Sequence, residues 1–325
     1  MRHFIFEFIT GGGLSGQALP PSLAREGELM VQALVADLHK LEKIELTQFR
    51  DSRLPNSQND VSVIKIANKE CESVFKHIQP EDYLWLIAPE SDNILSEWVS
   101  ICEKNRINLF LSKSNCIETC SNKKLSNEIL EKAGVSVVPI INTNTDFQNC
   151  SEGFIVKPKF GAGAEKVFYV EDKGSIFYKR EEFGVNEFIV QPYLSGEHLS
   201  LSMLCANGKA TLLACNKQYL EIVEGQIKLT ALGVNEYASD CIDLIRVAKN
   251  IATVFPDLFG YIGVDLIRQN NTYYIVDLNP RLTTSYVALS ESLNINIAEL
   301  IIKLKQNKML PEINIQAAKP VRIEL

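Results

Sequence analysis

The sequence predicts an α/β unit with a parallel sheet, followed by an α+β unit built on an antiparallel sheet. Three observations carry this. Residues 1 to 112 alternate buried strand-like runs with helical periodicities, the pattern of strands joined by crossover helices. From 153 to 233 short apolar runs are punctuated by glycine, with Asn207-Gly208 and Glu224-Gly225 where hairpin turns would sit. Between 261 and 278, two strand-like runs flank the polar turn Gln269-Asn270-Asn271.

Phe4 to Ile9 reads as a buried strand. A helix over 22–39 follows from Leu23, Leu29, Met30, Ala33, Leu34 and Leu38 at helical spacing. Strands are expected at Ile44–Phe49, Tyr83–Ala88 and 107–111, with a helix over 91–104. Residues 121–141 read as a helix capped by Ser121 and Gly134, then an extended segment closing at Pro139. A helix over 236–254 takes its apolar stripe from Ile242, Ile245, Ala248, Ile251 and Ala252. Strands Tyr261–Arg268 and Thr272–Leu278 and helices near 284–292 and 296–306 complete the chain.

With 325 residues the prior is about two domains. Hydrophobic residues make up 46% and charged residues 22%, which excludes disordered, collagen-like and low-complexity classes. Against 40 Asp and Glu stand 33 Lys and Arg, a net charge of −7, which argues against nucleic acid or an anionic membrane held by bulk charge. Any phosphate must be held by a local site. The eight cysteines are scattered, and Cys116 with Cys120 lacks the second ligand pair of a zinc site, so reduced thiols are expected. Glu7 interrupts the opening apolar stretch, and no run approaches the ~18 apolar residues of a membrane span. A cytoplasmic protein is expected.

Gly11, Gly13 and Gly16 match a dinucleotide-binding spacing after a strand. However, Pro20-Pro21 delays the helix, and no acidic residue ends a second strand about 20 residues on. Three readings of this loop stay open: a cofactor loop, a substrate-covering loop, and a plain strand-to-helix connection.

Four elements downstream carry chemistry. Phe154 to Pro158 is a strand containing Lys157, followed by the small-residue stretch Gly161-Ala162-Gly163-Ala164; an ammonium beside free backbone amides suits phosphate. The connector Gln191-Pro192-Tyr193-Leu194 interrupts a strand and would leave backbone groups free for an adenine edge, with Glu197 or His198 for ribose hydroxyls. Asp277 and Asn279 share a strand face by alternation, and an odd-length turn would bring Asp265 to it. Three hard oxygen donors there suit Mg²⁺. Arg281 precedes Thr283-Thr284-Ser285 at a helix start, a setting for a transferred phosphoryl group.

Over residues 112 to 305 these elements together resemble the ATP-grasp superfamily of carboxylate–amine ligases, most specifically in Asp277-Leu278-Asn279-Pro280-Arg281, where the family usually has Glu in place of Asp277. The resemblance implies an N-terminal α/β substrate domain (1–112), and a nucleotide clamped between a central lobe (113–195) and a C-terminal lobe with the metal site (196–325). It implies that Lys123, favoured over Lys124 by register, and Lys157 hold the phosphates of ATP. Gly161, Ala162 and Gly163 would cover them. Asp265, Asp277 and Asn279 would place Mg²⁺ or Mn²⁺, and Arg281 with Lys157 would act in catalysis.

The segments FEFITGGG, LPPSLAREGELM and NPRLTTSY further resemble the ATP-grasp group that includes tyramine–glutamate ligase of methanofuran biosynthesis. That implies amide formation from the glutamate γ-carboxylate and tyramine or tyrosine through an acyl phosphate. Glu26 or Glu28 would meet the substrate ammonium, and the superfamily expectation is a homodimer. Other amino-acid ligases, of the dipeptide or pyrrolysine-pathway type, a non-catalytic nucleotide-binding regulator, and a dehydrogenase built on the Gly11–Gly16 loop are the competing readings.

Overall fold

Five parallel strands form the first sheet of the computed structural model, which describes residues 1–56, 61–67, 71–142, 147, 150, 152–161, 166–176, 179, 188–237 and 241–325. They are β1 (Arg2–Glu7), β2 (Glu45–Asp51), β3 (Ser62–Ile66), β4 (Tyr83–Ile87) and β5 (Asn108–Leu109), in the order β3-β2-β1-β4-β5. β3 was not anticipated. Helix α1 (Pro21–His39) buries Met30, Val31, Leu34, Val35 and Leu38, whose spacing sets them on one face. Each contributes about 1.5–3 kcal/mol of burial against a core shared with β1, β4 and the C-terminal helices. Helix α2 (Ile94–Lys104) packs Trp98 in stacked contact with Phe6, their ring centroids 4.3 Å apart, on the opposite face.

Helix α3 (Ser114–Ser121), also unanticipated, leads directly into α4 (Lys123–Lys132). The cap of α4 is Asn122 rather than Ser121: its side chain accepts from the Leu125 amide, while the Ser121 hydroxyl donates back to Ile117 O inside α3. Gly134 closes the helix at φ +75°, as expected.

The second sheet has nine strands. These are β6 (Phe154–Pro158), β7 (Phe168–Val170), β8 (Phe188–Pro192), β9 (Glu197–Ala206), β10 (Lys209–Val223), β11 (Gln226–Val234), β12 (Gly260–Gln269), β13 (Thr272–Asn279) and β14 (Val321–Glu324). The order is β13-β12-β9-β10-β11-β7-β6-β8, with β14 paired to β11. Both anticipated two-residue turns form, with Asn207-Gly208 at φ +52° and +71° and Glu224-Gly225 at +52° and +79°, the left-handed pair that matches strand twist.

Helix α5 (Cys241–Val254) covers one face through Cys241, Leu244, Ala248, Ile251 and Ala252. Ile242, expected in that stripe, is 71% exposed because it lies out of phase with this 3–4 spacing. Helices α6 (Tyr286–Leu293) and α7 (Ile297–Asn307) pack on α1, where buried Asp37 accepts from Tyr286 and Ser290 and gives its carbonyl to Asn296. That anchor joins the parallel unit to the second sheet. No disulfide links the described cysteines, six of which are buried, and no helix among the described residues is long and apolar enough to cross a membrane.

The glycine-rich loop is a packed connection. The Gly11 and Gly13 amides donate to Glu7 O and Phe8 O, and a Cβ on Gly11 would stand 2.5 Å from Glu7 O. Four of its amides, those of Gly11, Gly13, Ser15 and Gln17, are thus committed within the turn, and the loop does not line the cleft described next.

Candidate active site

The hairpin β12–β13 sets the floor of a cleft of about 680 Å³. Its turn holds two residues, Asn270 and Asn271, both with positive φ, so Gln269 pairs with Thr272. An even turn alone would place Asp265 and Asp277 on opposite faces. The register shifts between Asp265 and Leu266, leaving Val276 as an extra residue, and Asp265 then pairs with Asp277 and Gly263 with Asn279. A bulge thus supplies the parity that an odd-length turn was expected to supply.

Around this floor the anticipated groups converge. Asn279 Nδ2 donates to Asp265 Oδ2 at 3.0 Å, and Gln218 Nε2, from β10, donates to Oδ1 at 2.9 Å. Burial, together with the Asp277 charge, pushes the Asp265 carboxyl up to about 6. Lys123 is buried at the start of α4 and bridges two partners, with Nζ 2.5 Å from Asp277 Oδ2 and 2.8 Å from Gly161 O. Its backbone amide also binds Lys159 O, so the turn after β6 is clasped twice. Lys124 points outward and is exposed. Lys157, 3% exposed, donates to the carbonyl of the bulge residue Val276 at 3.2 Å, and burial brings its ammonium down to about 8.

The connector behaves differently from its sequence reading. Gln191 pairs within β6–β8 and its side chain donates to Val138 O; the Tyr193 amide donates to Gly153 O. Among the described residues only the Leu194 amide in this stretch is left without a protein partner. Gln191, Pro192, Tyr193 and Leu194 all line the cleft. His198 lines it as well, on the face of Asp265, and burial holds its imidazole below the ordinary value. Glu197, one residue earlier, turns to the other face, where Arg268 lies at 3.2 Å and Tyr237 donates to it. Gly161 is placed at the cleft wall, whereas Ala162 and Gly163 lie outside the described residues.

Arg281 follows β13 and lines the cleft; two residues on, the Thr283 side chain packs against Gly263, where a Cβ would meet Thr283 Cγ2 at 2.6 Å. The Arg281 side chain is nearly buried. Its guanidinium is held by Glu90, a buried residue just after β4 that the sequence reading missed. At the far wall, Glu26 of α1 lines the cleft and accepts from the Thr284 hydroxyl, whereas Glu28 is paired with Arg50 at 2.7 Å. Gln218 was also missed; the run of three polar residues Asn216-Lys217-Gln218 inside an otherwise apolar strand is the signal that could have found it.

The comparisons with known proteins agree with this arrangement. The ATP-grasp domain family matches residues 120–285, and the pre ATP-grasp 3 domain family matches residues 44–117. The chain is 24% identical to the tyramine–L-glutamate ligase of Methanocaldococcus jannaschii over 314 residues, covering 94% of this chain and 89% of that protein. Among solved structures, an ATP-grasp superfamily protein from Archaeoglobus fulgidus superposes with a TM-score of 0.75 at 21% identity, over 100% of this chain and 92% of that one. An L-amino acid ligase from Bacillus licheniformis superposes with a TM-score of 0.64 at 15% identity, over 94% and 74% of the two chains.

Proposed function

The chain belongs to the ATP-grasp family, and from that premise we propose that it is an ADP-forming carboxylate–amine ligase that makes an amide through an acyl phosphate. One observation carries the reading: Lys123, Lys157, Asp265, Asp277, Asn279 and Arg281 all face one cleft. The substrates we assign are the γ-carboxylate of glutamate and the amine of tyramine or tyrosine, as in methanofuran-type biosynthesis. Similarity to tyramine–L-glutamate ligase along 94% of the chain supports that choice.

Lys123 and Lys157 hold the phosphates of ATP, with Gly161 at the cleft wall beside Lys123. The Leu194 amide meets the adenine edge and His198 the ribose. The donor set fits Mg²⁺ or Mn²⁺: Asp265 and Asp277 are two hard carboxylates facing each other, and Asn279, donating through Nδ2, keeps its amide oxygen available. When bound, such a cation would neutralise negative charge on the phosphates of the nucleotide. Asp277 is shorter than the usual Glu and so reaches less far into the cleft. Arg281 stabilises charge on the γ-phosphoryl as it passes to a carboxylate oxygen and ADP leaves. The amine, its ammonium having released one proton to solvent, then attacks the acyl carbon; inorganic phosphate departs and the nitrogen gives up its second proton to leave the amide. Glu26, which lines the cleft and accepts from Thr284, receives the substrate ammonium.

Mass-spectrometric detection of the amide with ATP, glutamate and either tyramine or tyrosine tests the reading. A product with other amino acids instead would place the protein among dipeptide ligases. No ADP release with any carboxylate–amine pair would overturn the ligase reading.

A further inference from the structure

Arg281 does not reach the cleft as a free side chain. Its Nε lies 2.9 Å from both carboxylate oxygens of Glu90, Nη2 lies 2.9 Å from Glu90 Oε2, and Nη1 donates to Leu282 O at 3.1 Å. Of the five guanidinium N–H donors, one on each terminal nitrogen is left for the cleft. The two residues are 191 positions apart and follow strands of different sheets, and Glu90 is only 2% exposed. A second observation concerns the turn that carries Glu90. Asp92 and Asn93, two and three residues after Glu90, adopt φ +52° and +61°, and the Asn93 Oδ1 is buried with no hydrogen-bond partner. Two successive left-handed residues are uncommon, and Asp and Asn are the types besides glycine that tolerate the conformation. Such a conformation persists where the surroundings hold a segment in place, and this one begins two residues beyond the carboxylate that meets the guanidinium.

We propose that Glu90 is a positioning residue: it presents the outer edge of the Arg281 guanidinium to the transferred phosphoryl group, so that the N-terminal sheet contributes to the chemistry of the C-terminal one. This rests on the ligase reading for the identity of the reaction. The planar, two-point contact fixes both the rotation and the depth of the guanidinium, which a single contact would not. A residue that only supports the fold would lower activity independently of Arg281. A residue that acts through Arg281 has nothing left to position once that side chain is gone.

The test is a double-mutant cycle with Glu90→Gln and Arg281→Ala, read in two measurements on the full-length protein. The first is kcat and ATP KM for amide formation. The second is calorimetric binding of inorganic phosphate in the presence of saturating Mg-ADP, which needs no turnover. Glu90→Gln is expected to lower kcat on the order of tenfold to a hundredfold while ATP KM moves less than about twofold. In the Arg281→Ala background it is expected to bring no further loss in either measurement. If the Gln variant does not fold, Glu90→Asp, which keeps the charge but shortens the reach, enters the same cycle. Losses that multiply, a Glu90 variant with wild-type kcat, or phosphate binding indifferent to Arg281 would each overturn the proposal. If the wild-type protein makes no amide but phosphate binding still shows the non-additive pattern, the ligase reading fails and the role of Glu90 stands.

Discussion

Lys123 and Asp277 meet at 2.5 Å across 154 positions of sequence, the first at the start of α4 and the second near the end of β13. The contact joins a helix of the central segment to the floor of the cleft. It also brings the ammonium assigned to the nucleotide phosphates next to a carboxylate assigned to the metal. Both partners are mostly buried, so each limits the cost of burying the other's charge. Asp277→Ala is accordingly expected to remove Mg-ATP turnover by about a hundredfold or more, because the site loses one of its two carboxylates. The hairpin's apolar flanks, Val264, Leu266 and Leu278, are untouched, so circular dichroism should show an intact fold. Full activity in this variant would refute the metal assignment.

The two adjacent lysines give a sharper comparison. Lys123 faces the cleft, and Lys124 faces solvent. A charge-assisted hydrogen bond is worth about 1.5–3 kcal/mol, so Lys123→Met should raise the KM for ATP roughly tenfold to a hundredfold. Lys124→Met should change it by less than about twofold, as expected of an exposed charge. Steady-state kinetics with ATP varied decides between the two positions.

Much of this site could be read before folding was known, because strand alternation is a local rule. Asp277 and Asn279 share a face wherever a strand forms there. The positive-φ turns were legible for the same reason, in Asn207-Gly208 and Glu224-Gly225. The parity of Asp265 was not, since it depends on the Val276 bulge, and a bulge is set by pairing between strands rather than by the residues of one. Glu90 was illegible because it stands in a turn after β4, and only the packing of the two sheets brings it to Arg281. Glu197 and His198 were inseparable until the pairing of β9 with β12 assigned them to opposite faces. β14 had a readable signal, the alternation Val321-Arg322-Ile323-Glu324, in a segment too short to stand out.

Glu26 and Glu28 separate recognition from stability. Glu26 accepts a hydrogen bond from Thr284 and faces the cleft, so Glu26→Gln should raise the KM for the amine substrate at least about tenfold, the loss of one charged contact. Its KM for ATP should stay within about twofold. Glu28 instead neutralises Arg50, whose side chain is nearly buried, and Glu28→Gln should cost about 1–3 kcal/mol in denaturant unfolding with the kinetics unchanged. The reverse assignment of effects would move the ammonium subsite from Glu26 to Glu28.

His3 gives the chain a stability that depends on pH away from the cleft. It is buried between Tyr83, Trp85 and Phe110, its Nδ1 accepts from the Trp85 indole at 3.1 Å, and its Nε2 has no partner. Burial, reinforced by the nearby N-terminal ammonium, brings the imidazole down to about 4, against an ordinary 6.5. Between those two values the unfolded chain takes up a proton that the folded chain refuses, so stability falls as pH drops from 6.5 towards 4 and is fully present above 6.5. The whole interval corresponds to at most about 3 kcal/mol. His3→Gln keeps an acceptor for the indole but has no proton to gain. Urea unfolding of both proteins between pH 4 and 7 should therefore show the wild-type curve falling more steeply with acid, while the carboxylates common to both cancel in the difference. Parallel curves would mean that the imidazole is already charged in the folded protein, which is incompatible with the enclosed Nε2 seen here.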